Sequence, residues 1–130
     1  MTLNDLTANA LSKIKNAEKA RKSEVILAPV SKQIIKVLEI LKEEKYIKDF
    51  KFSEDSRGGN IKVMLAHAIN NLGVIKPRFN VKISEIEKYE QRYLPAINFG
   101  RLILSTPKGM LTHLKAKDEH TGGVLIAYVY

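Results

Sequence analysis

The spacing of apolar residues changes along the chain, and this change constrains the fold more than any single motif. Over residues 3–20 and 31–45 apolar side chains recur every three or four positions, which predicts two helices. Further on, "RLILS" and "GVLIAYVY" are mostly apolar runs rich in residues that favour strands. The chain therefore combines helical and strand patterns, with the strand pattern dominating its second half.

The order of these patterns predicts an α+β protein of two small domains. Residues 1–73 are interpreted as an N-terminal domain with the order α-β-α-β-β, which includes a buried strand at 24–28 and Ser31 as a helix N-cap. Residues 74–130 are interpreted as a mostly β C-terminal domain. Within it, Ser84 is expected to cap a helical turn, and 112–120 forms a short helix or a loop.

Glycine pairs are expected at two turns of this arrangement. Gly58-Gly59 follows the strand pattern at 46–52 and precedes "IKVMLA", which is typical of a hairpin loop. Gly122-Gly123 comes just before the last strand and is likewise interpreted as a turn.

The charge balance points to a polyanionic partner. Lys and Arg total 22 against 14 Asp and Glu, a net charge of +8, which favours nucleic acid or an anionic membrane surface. A merely soluble basic protein is the alternative. There is no cysteine, so disulfides, cysteine-based zinc sites and thiol nucleophiles are excluded and an intracellular protein is favoured. We expect no signal peptide and no membrane-spanning segment, because no apolar run is long enough for either, and we expect no membrane partner.

The stretch "LSTPKG" admits a catalytic interpretation. Ser105 and Lys108 have the S-x-x-K spacing with which a lysine activates a serine for acyl transfer. That chemistry needs both residues on one helix, whereas a strand pattern precedes Ser105, Pro107 separates the pair and Gly109 follows it. The spacing is therefore weak support for an enzyme.

Other catalytic and metal signatures are missing as well. The three histidines, His67, His113 and His120, form no zinc motif, and no phosphate-binding glycine loop occurs. We expect no enzyme activity, no cofactor and no metal.

Two polar surfaces instead suit RNA. In the loop, Ser105 and Thr106 offer hydroxyls, Lys108 a charge, and Gly109 a close approach of the backbone to an anion. On the first helix, the face opposite the apolar one collects amides, a hydroxyl and charged groups: Asp5, Asn9, Ser12, Lys15, Asn16 and Lys19. The alternative for the helix is an ordinary solvated face.

Four segments, in the right order, resemble the small-subunit ribosomal protein eight family. "LILSTPKGMLT" and the terminal "GGVLIAYVY" are similar to the family's LSTSKG loop and final strand. "ALSKIKNA" and "LKEEKYI" are similar to two N-terminal segments of the family. The similarity covers nearly the whole chain.

The resemblance implies a function and a set of contacts. Family members bind the central domain of small-subunit ribosomal RNA, help it fold during assembly beside neighbouring small-subunit proteins, and in bacteria bind the messenger RNA of their own operon. A cytoplasmic location on the ribosome follows. Carried over by position, the RNA contacts are Ser105, Thr106, Lys108 and Gly109 in the loop and Asp5, Thr7, Ser12, Lys13, Lys15 and Asn16 on the first helix.

The chain departs from the family pattern at several positions, at Val124 and Lys82 from that of bacterial members in particular. Pro107 replaces a serine, Val124 replaces a glutamate, Lys82 stands near the place of an RNA-stacking tyrosine, and 84–94 carries extra residues. Lysines replace arginines on the first helix, which keeps the charge and loses bidentate geometry. These differences indicate an archaeal or eukaryote-like branch. A serine acyltransferase and a basic membrane or protein-interaction module are the competing hypotheses.

Overall fold

The computed structural model describes residues 6–28, 30–53, 59–75, 80–96 and 99–130. The chain divides into two units, Met1–Asn70 and Asn71–Tyr130. The domain boundary expected after residue 73 would cut strand β4 (Leu72–Val74), which pairs with the last strand, β8 (Gly123–Val129). That pairing assigns β4 to the second unit.

The first unit has the predicted α+β order. Its elements are α1 (Leu6–Lys19), β1 (Glu24–Leu27), α2 (Lys32–Glu43), β2 (Ile47–Ser53) and β3 (Asn60–Leu65). The strands form an antiparallel sheet in the order β1-β3-β2. Helix α2 begins where predicted, because the Ser31 hydroxyl accepts a hydrogen bond from the Ile34 N–H at 3.2 Å.

Strand β1 differs from the expectation of a buried strand. Only Leu27 is buried, and Ile26 is 59% exposed. The reason is the sheet face on which it lies: Ile26 pairs with the exposed Lys62 of β3, so both side chains are on the solvent side of the antiparallel sheet. An apolar run alone does not show whether one or both faces of a strand are buried.

The second unit is built on a five-stranded antiparallel sheet. Its elements are β4, β5 (Asn80–Val81), a 3-10 turn (Ile83–Glu85), α3 (Ile86–Tyr93), β6 (Arg101–Thr106), β7 (Gly109–Thr112), α4 (His113–Asp118) and β8. Strand β8 is central, with β4, β5 and β6 against it, and β7 pairs with β6. Both helices contribute to the core beneath this sheet: Ile75, Val81, Ile86, Tyr89, Leu94, Leu102, Leu104, Ala116 and Leu125.

Three local expectations, two in this unit and one in the first, need correction or completion. Ser84 lies inside the 3-10 turn and is not its cap; the Lys82 N–H instead donates to Glu85 Oε1 at 3.1 Å. The segment left open as helix or loop is α4, with Thr112 as its N-cap. Gly58 lies outside the described residues, whereas Gly59 has a φ of +94°.

Gly122 and Gly123 are close-approach glycines and not turn glycines. Neither has a positive φ among the described residues, and the turn before β8 is made by His120 at φ +51°. A Cβ on Gly123 would lie 2.3 Å from the Ser105 carbonyl oxygen, and one on Gly122 would lie 2.3 Å from that of Val81. The two glycines therefore let β8 approach its neighbours on both sides.

Candidate nucleic-acid interface

The predicted contact loop is the β6–β7 hairpin. Thr106 ends β6 and pairs with Gly109, the first residue of β7, while Pro107 and Lys108 form the exposed tip. Gly109 has a φ of +107°, and an added Cβ would meet no atom within 4 Å. Glycine is therefore required there by backbone conformation and not by space. We call residues 105–109 the hairpin tip.

The Thr106 hydroxyl braces this tip from inside. It donates to the Gly109 carbonyl oxygen at 2.6 Å and accepts the Lys108 N–H at 3.1 Å. Its only proton is thus used, and a single acceptor position remains for a ligand. The sequence predicts Thr106 as a hydroxyl that contacts RNA, whereas its two hydrogen bonds indicate that it shapes the loop.

Ser105 is the available hydroxyl of the tip. Its cross-strand partners are Met110 on β7 and Val124 on β8, so the three side chains share one sheet face. All three are partly exposed. Within the described part of the chain no residue bonds the Ser105 hydroxyl, which leaves its donor and acceptor capacity for an outside partner.

Lys108 is tied to α4 by an exposed interaction. Its Nζ lies 3.2 Å from the carbonyl oxygen of Glu119 and 3.2 Å from that residue's Oε2. Because both side chains are more than half exposed, the pair is weak and an incoming phosphate can displace it. Ser105 belongs to a strand and Lys108 binds Glu119, so the helix required for S-x-x-K catalysis is not formed.

The first helix presents a second polar surface. Asn9, Ser12, Lys13 and Asn16 are exposed along α1 and line a cavity of about 280 Å³ together with Leu27. We call these four residues the α1 polar face. None of their side chains has a partner within the described ranges. Lys15, also predicted, is partly exposed beside this face.

Two predicted contacts of this helix have a different outcome. Thr7 is 3% exposed, and its hydroxyl donates to Gln33 Oε1 at 2.6 Å, so it holds α1 to α2 and is not available to a partner. Nine residues at about 100° each place Thr7 about 180° from Asn16, which explains its burial. Asp5 lies outside the described residues.

The second unit contains a buried charged cluster that the local sequence pattern does not predict, because its members are far apart in the chain. His113 is fully buried; its Nδ1 accepts the Leu102 N–H at 3.0 Å, and its Nε2 lies 3.6 Å from Glu90 Oε2. Glu90 also pairs with Lys117. Burial lowers the pKa of His113 to about 4, against the opposing attraction of Glu90. The histidine is therefore neutral at pH 7 and serves to anchor β6.

The described residues contain neither a candidate metal site nor a helix suited to spanning a membrane. Across the described ranges no three His, Asp or Glu side chains are grouped so as to hold a metal ion. The described helices include none that is both long enough and apolar enough to span a membrane.

Comparisons with known proteins extend over the whole chain. A family model described as Ribosomal protein S8 matches residues 5–130. The small ribosomal subunit protein uS8 of Nanoarchaeum equitans is 51% identical over 126 residues, covering 97% of this chain and 98% of that protein.

Two further archaeal proteins of the same name are similarly close. The protein of Picrophilus torridus is 49% identical over 128 residues, covering 98% of this chain and 96% of its own length. That of Caldivirga maquilingensis is 45% identical over 130 residues and covers all of both chains. The family expected from the LSTPKG loop and terminal strand is confirmed, and the archaeal relatives agree with the expected branch. The chain belongs to the ribosomal protein S8 family.

Proposed function

We propose that this protein binds small-subunit ribosomal RNA through the α1 polar face and the hairpin tip. As a member of the S8 family it is a structural, non-enzymatic constituent of the small ribosomal subunit and is located with the ribosome in the cytoplasm.

The α1 polar face carries the proposal. Four adjacent exposed side chains with no partner among the described residues are arranged around one cavity, on a chain with a net charge of +8. Lys13 supplies a charge for a phosphate, while Asn9, Ser12 and Asn16 supply hydrogen bonds to sugar and phosphate oxygens. Such contacts set affinity and its dependence on salt.

The hairpin tip adds discrimination by shape. Thr106 and Gly109 fix the loop, Ser105 offers the hydroxyl, and Lys108 exchanges Glu119 for a phosphate. A shallow RNA minor groove displays ribose hydroxyls and base edges that a serine hydroxyl can bond. Val124 beside Ser105 provides no carboxylate, so this surface relies on the hydroxyl and the cation.

The family resemblance directs the proposal to a particular RNA. We assign the target to the central domain of small-subunit ribosomal RNA and the role to its folding during assembly beside neighbouring proteins. Binding of the protein's own operon messenger RNA by the same surfaces is part of this proposal.

A filter-binding titration tests the function. We expect a central-domain RNA fragment to bind more tightly than a scrambled RNA of equal length. If about five phosphates are contacted, the slope of log affinity against log salt is roughly −4. Equal affinity for both RNAs, or no dependence on salt, would contradict the proposal.

Anionic phospholipid vesicles serve as the control for non-specific attraction. Specific RNA binding predicts that vesicles compete no better than the scrambled RNA does. Equal competition by vesicles and the central-domain fragment would indicate a general polyanion-binding module.

A further inference from the structure

Four aromatic rings form a continuous row in the second unit. Tyr93 stacks on Tyr128 with ring centroids 5.8 Å apart, and Tyr128 stacks on Tyr130 at 6.3 Å. Phe99 packs on Tyr130 at 6.2 Å with the rings tilted by 47°. We call these residues the aromatic row. The three tyrosines are partly buried against the core, whereas Phe99, at the end of the row, is 47% exposed.

Phe99 is positioned by one backbone hydrogen bond and by the glycine that follows it. Its N–H donates to the Ala96 carbonyl oxygen at 3.2 Å, and Gly100 follows with a φ of +92°. A Cβ on Gly100 would lie 2.7 Å from both the Tyr130 Cβ and the Val129 carbonyl oxygen. Only glycine therefore lets the chain cross the end of β8 and place the ring of Phe99 on Tyr130.

The supporting ring is fixed in turn. Tyr130 exchanges two backbone hydrogen bonds with Asn71, at 2.9 and 3.0 Å, and its hydroxyl accepts the Asn71 side-chain amide at 3.0 Å. The exposed ring thus rests on a rigid base, which lowers the entropy that a ligand must remove on stacking.

Cations accompany the row at both ends. The Arg92 guanidinium lies 5.6 Å from the centroid of the Tyr93 ring. Arg101 donates to the Gly100 carbonyl oxygen at 2.8 Å, which places its guanidinium beside the turn that carries Phe99. Exposed rings flanked by positive charge are the combination that binds unpaired bases, with the ring stacking and the cation attracting the backbone.

We propose that Phe99 stacks on an unpaired base of the small-subunit RNA, with Arg101 near the adjoining phosphate. This site rests on the proposed RNA-binding function and adds a contact outside the α1 polar face and the hairpin tip. The positive flanks favour an RNA occupant over a basic segment of a neighbouring protein, which is the other occupant that an exposed ring suits.

A pair of matched substitutions tests the site. Phe99→Leu keeps an apolar side chain and removes the stacking ring, while Phe52→Leu does the same to a phenylalanine of the first unit that is 50% exposed. We expect Phe99→Leu to weaken binding of the central-domain fragment about ten-fold with an unchanged salt slope, and Phe52→Leu to change it less than two-fold. Full affinity in Phe99→Leu would overturn the proposal and favour a protein occupant.

A spectroscopic variant separates stacking from folding. The chain has no tryptophan, so Phe99→Trp introduces a single indole at the site. We expect its emission to be quenched by the central-domain fragment and unchanged by anionic vesicles. Unquenched emission at saturating RNA would contradict stacking, whereas failure of the unsubstituted protein to bind RNA at all would contradict the proposed function itself.

Discussion

The hairpin tip and the α1 polar face carry similar side chains but hold them differently. At the tip, Thr106 and Lys108 have intramolecular partners that fix the loop before a ligand arrives. On α1, the side chains of Ser12, Lys13 and Asn16 have no partner among the described residues. A fixed surface reduces the entropy cost of binding and rejects ligands of the wrong shape, whereas free side chains adapt to many phosphate positions. We therefore expect the tip to control specificity and α1 to control salt-dependent affinity.

Lowering the pH is expected to have the largest effect. It reduces the free energy of unfolding through His113, which lies in the unit that carries the hairpin tip. The pKa of His113 is about 4 in the folded protein, against 6.5 for an ordinary histidine. Between these values the unfolded chain binds more protons, so the free energy of unfolding falls as the pH drops. We expect urea unfolding to give a value about 2 kcal/mol lower at pH 5 than at pH 7.

Two histidine variants control this measurement. His113→Gln keeps an acceptor for the Leu102 N–H and removes the titrating group, so its stability is expected to change much less over the same range. His120→Gln, at an exposed position, is expected to behave like the unsubstituted protein. A full pH response in His113→Gln would assign the effect to other groups.

Removing the Thr106 hydroxyl is expected to change the conformation of the hairpin tip and to leave the α1 polar face intact. Thr106→Val loses both hydrogen bonds of the Thr106 hydroxyl at nearly constant volume, which costs about 1 kcal/mol of stability. We expect specific RNA binding to weaken about ten-fold, because the loop is no longer preorganised. Thr106→Ser keeps the hydroxyl and is expected to retain affinity; equal losses in both variants would point to the lost methyl group instead.

Removing a charge from α1 is expected to reduce salt-dependent affinity for every RNA and to leave specificity unchanged. Lys13→Ala deletes one phosphate contact, so the magnitude of the salt slope is expected to fall by about 1 and affinity by about five-fold, for specific and scrambled RNA alike. Stability is expected to stay constant because Lys13 has no partner among the described residues. Lys36→Ala, on an exposed site of α2, is the matched control. A loss confined to specific RNA would reverse the roles assigned to the two surfaces.

The smallest effect is expected from weakening the ion pair between Lys108 and Glu119. Glu119→Gln weakens the interaction that Lys108 exchanges for phosphate and removes a nearby negative charge. We expect RNA affinity to rise about two-fold at low salt, and the gain to vanish at high salt, because exposed pairs contribute little and are screened. A decrease in affinity would show that Glu119 positions Lys108 for binding.

Local sequence patterns predict most of the fold but few of the hydrogen bonds and close contacts at the candidate interface. The order of helices and strands and the Ser31 cap follow from periodicity and capping within a few residues. The hydrogen bonds of the Thr106 hydroxyl depend on the pairing of Thr106 with Gly109. The close approach of Gly123 to the Ser105 carbonyl oxygen depends on β6 being the strand beside β8. Such facts require the sheet register, which the sequence alone does not specify.

Clusters of residues that are far apart in the sequence are not predicted by local patterns for the same reason. Glu90 and Lys117 are 27 positions apart, and Tyr93 meets Tyr128 from a different element. Thr7 is the opposite case: helical geometry alone places it away from Asn16, so Thr7 and Asn16 cannot both lie on one contact face of the helix.

The affinity of Ser105→Ala for the central-domain fragment tests the central claim most directly. The account predicts about a five-fold loss for specific RNA, the equivalent of one hydrogen bond, with unchanged binding of scrambled RNA, an unchanged salt slope and unchanged stability. Affinity equal to that of the unsubstituted protein would contradict the assignment of Ser105 as the hydroxyl through which the braced hairpin tip contacts RNA.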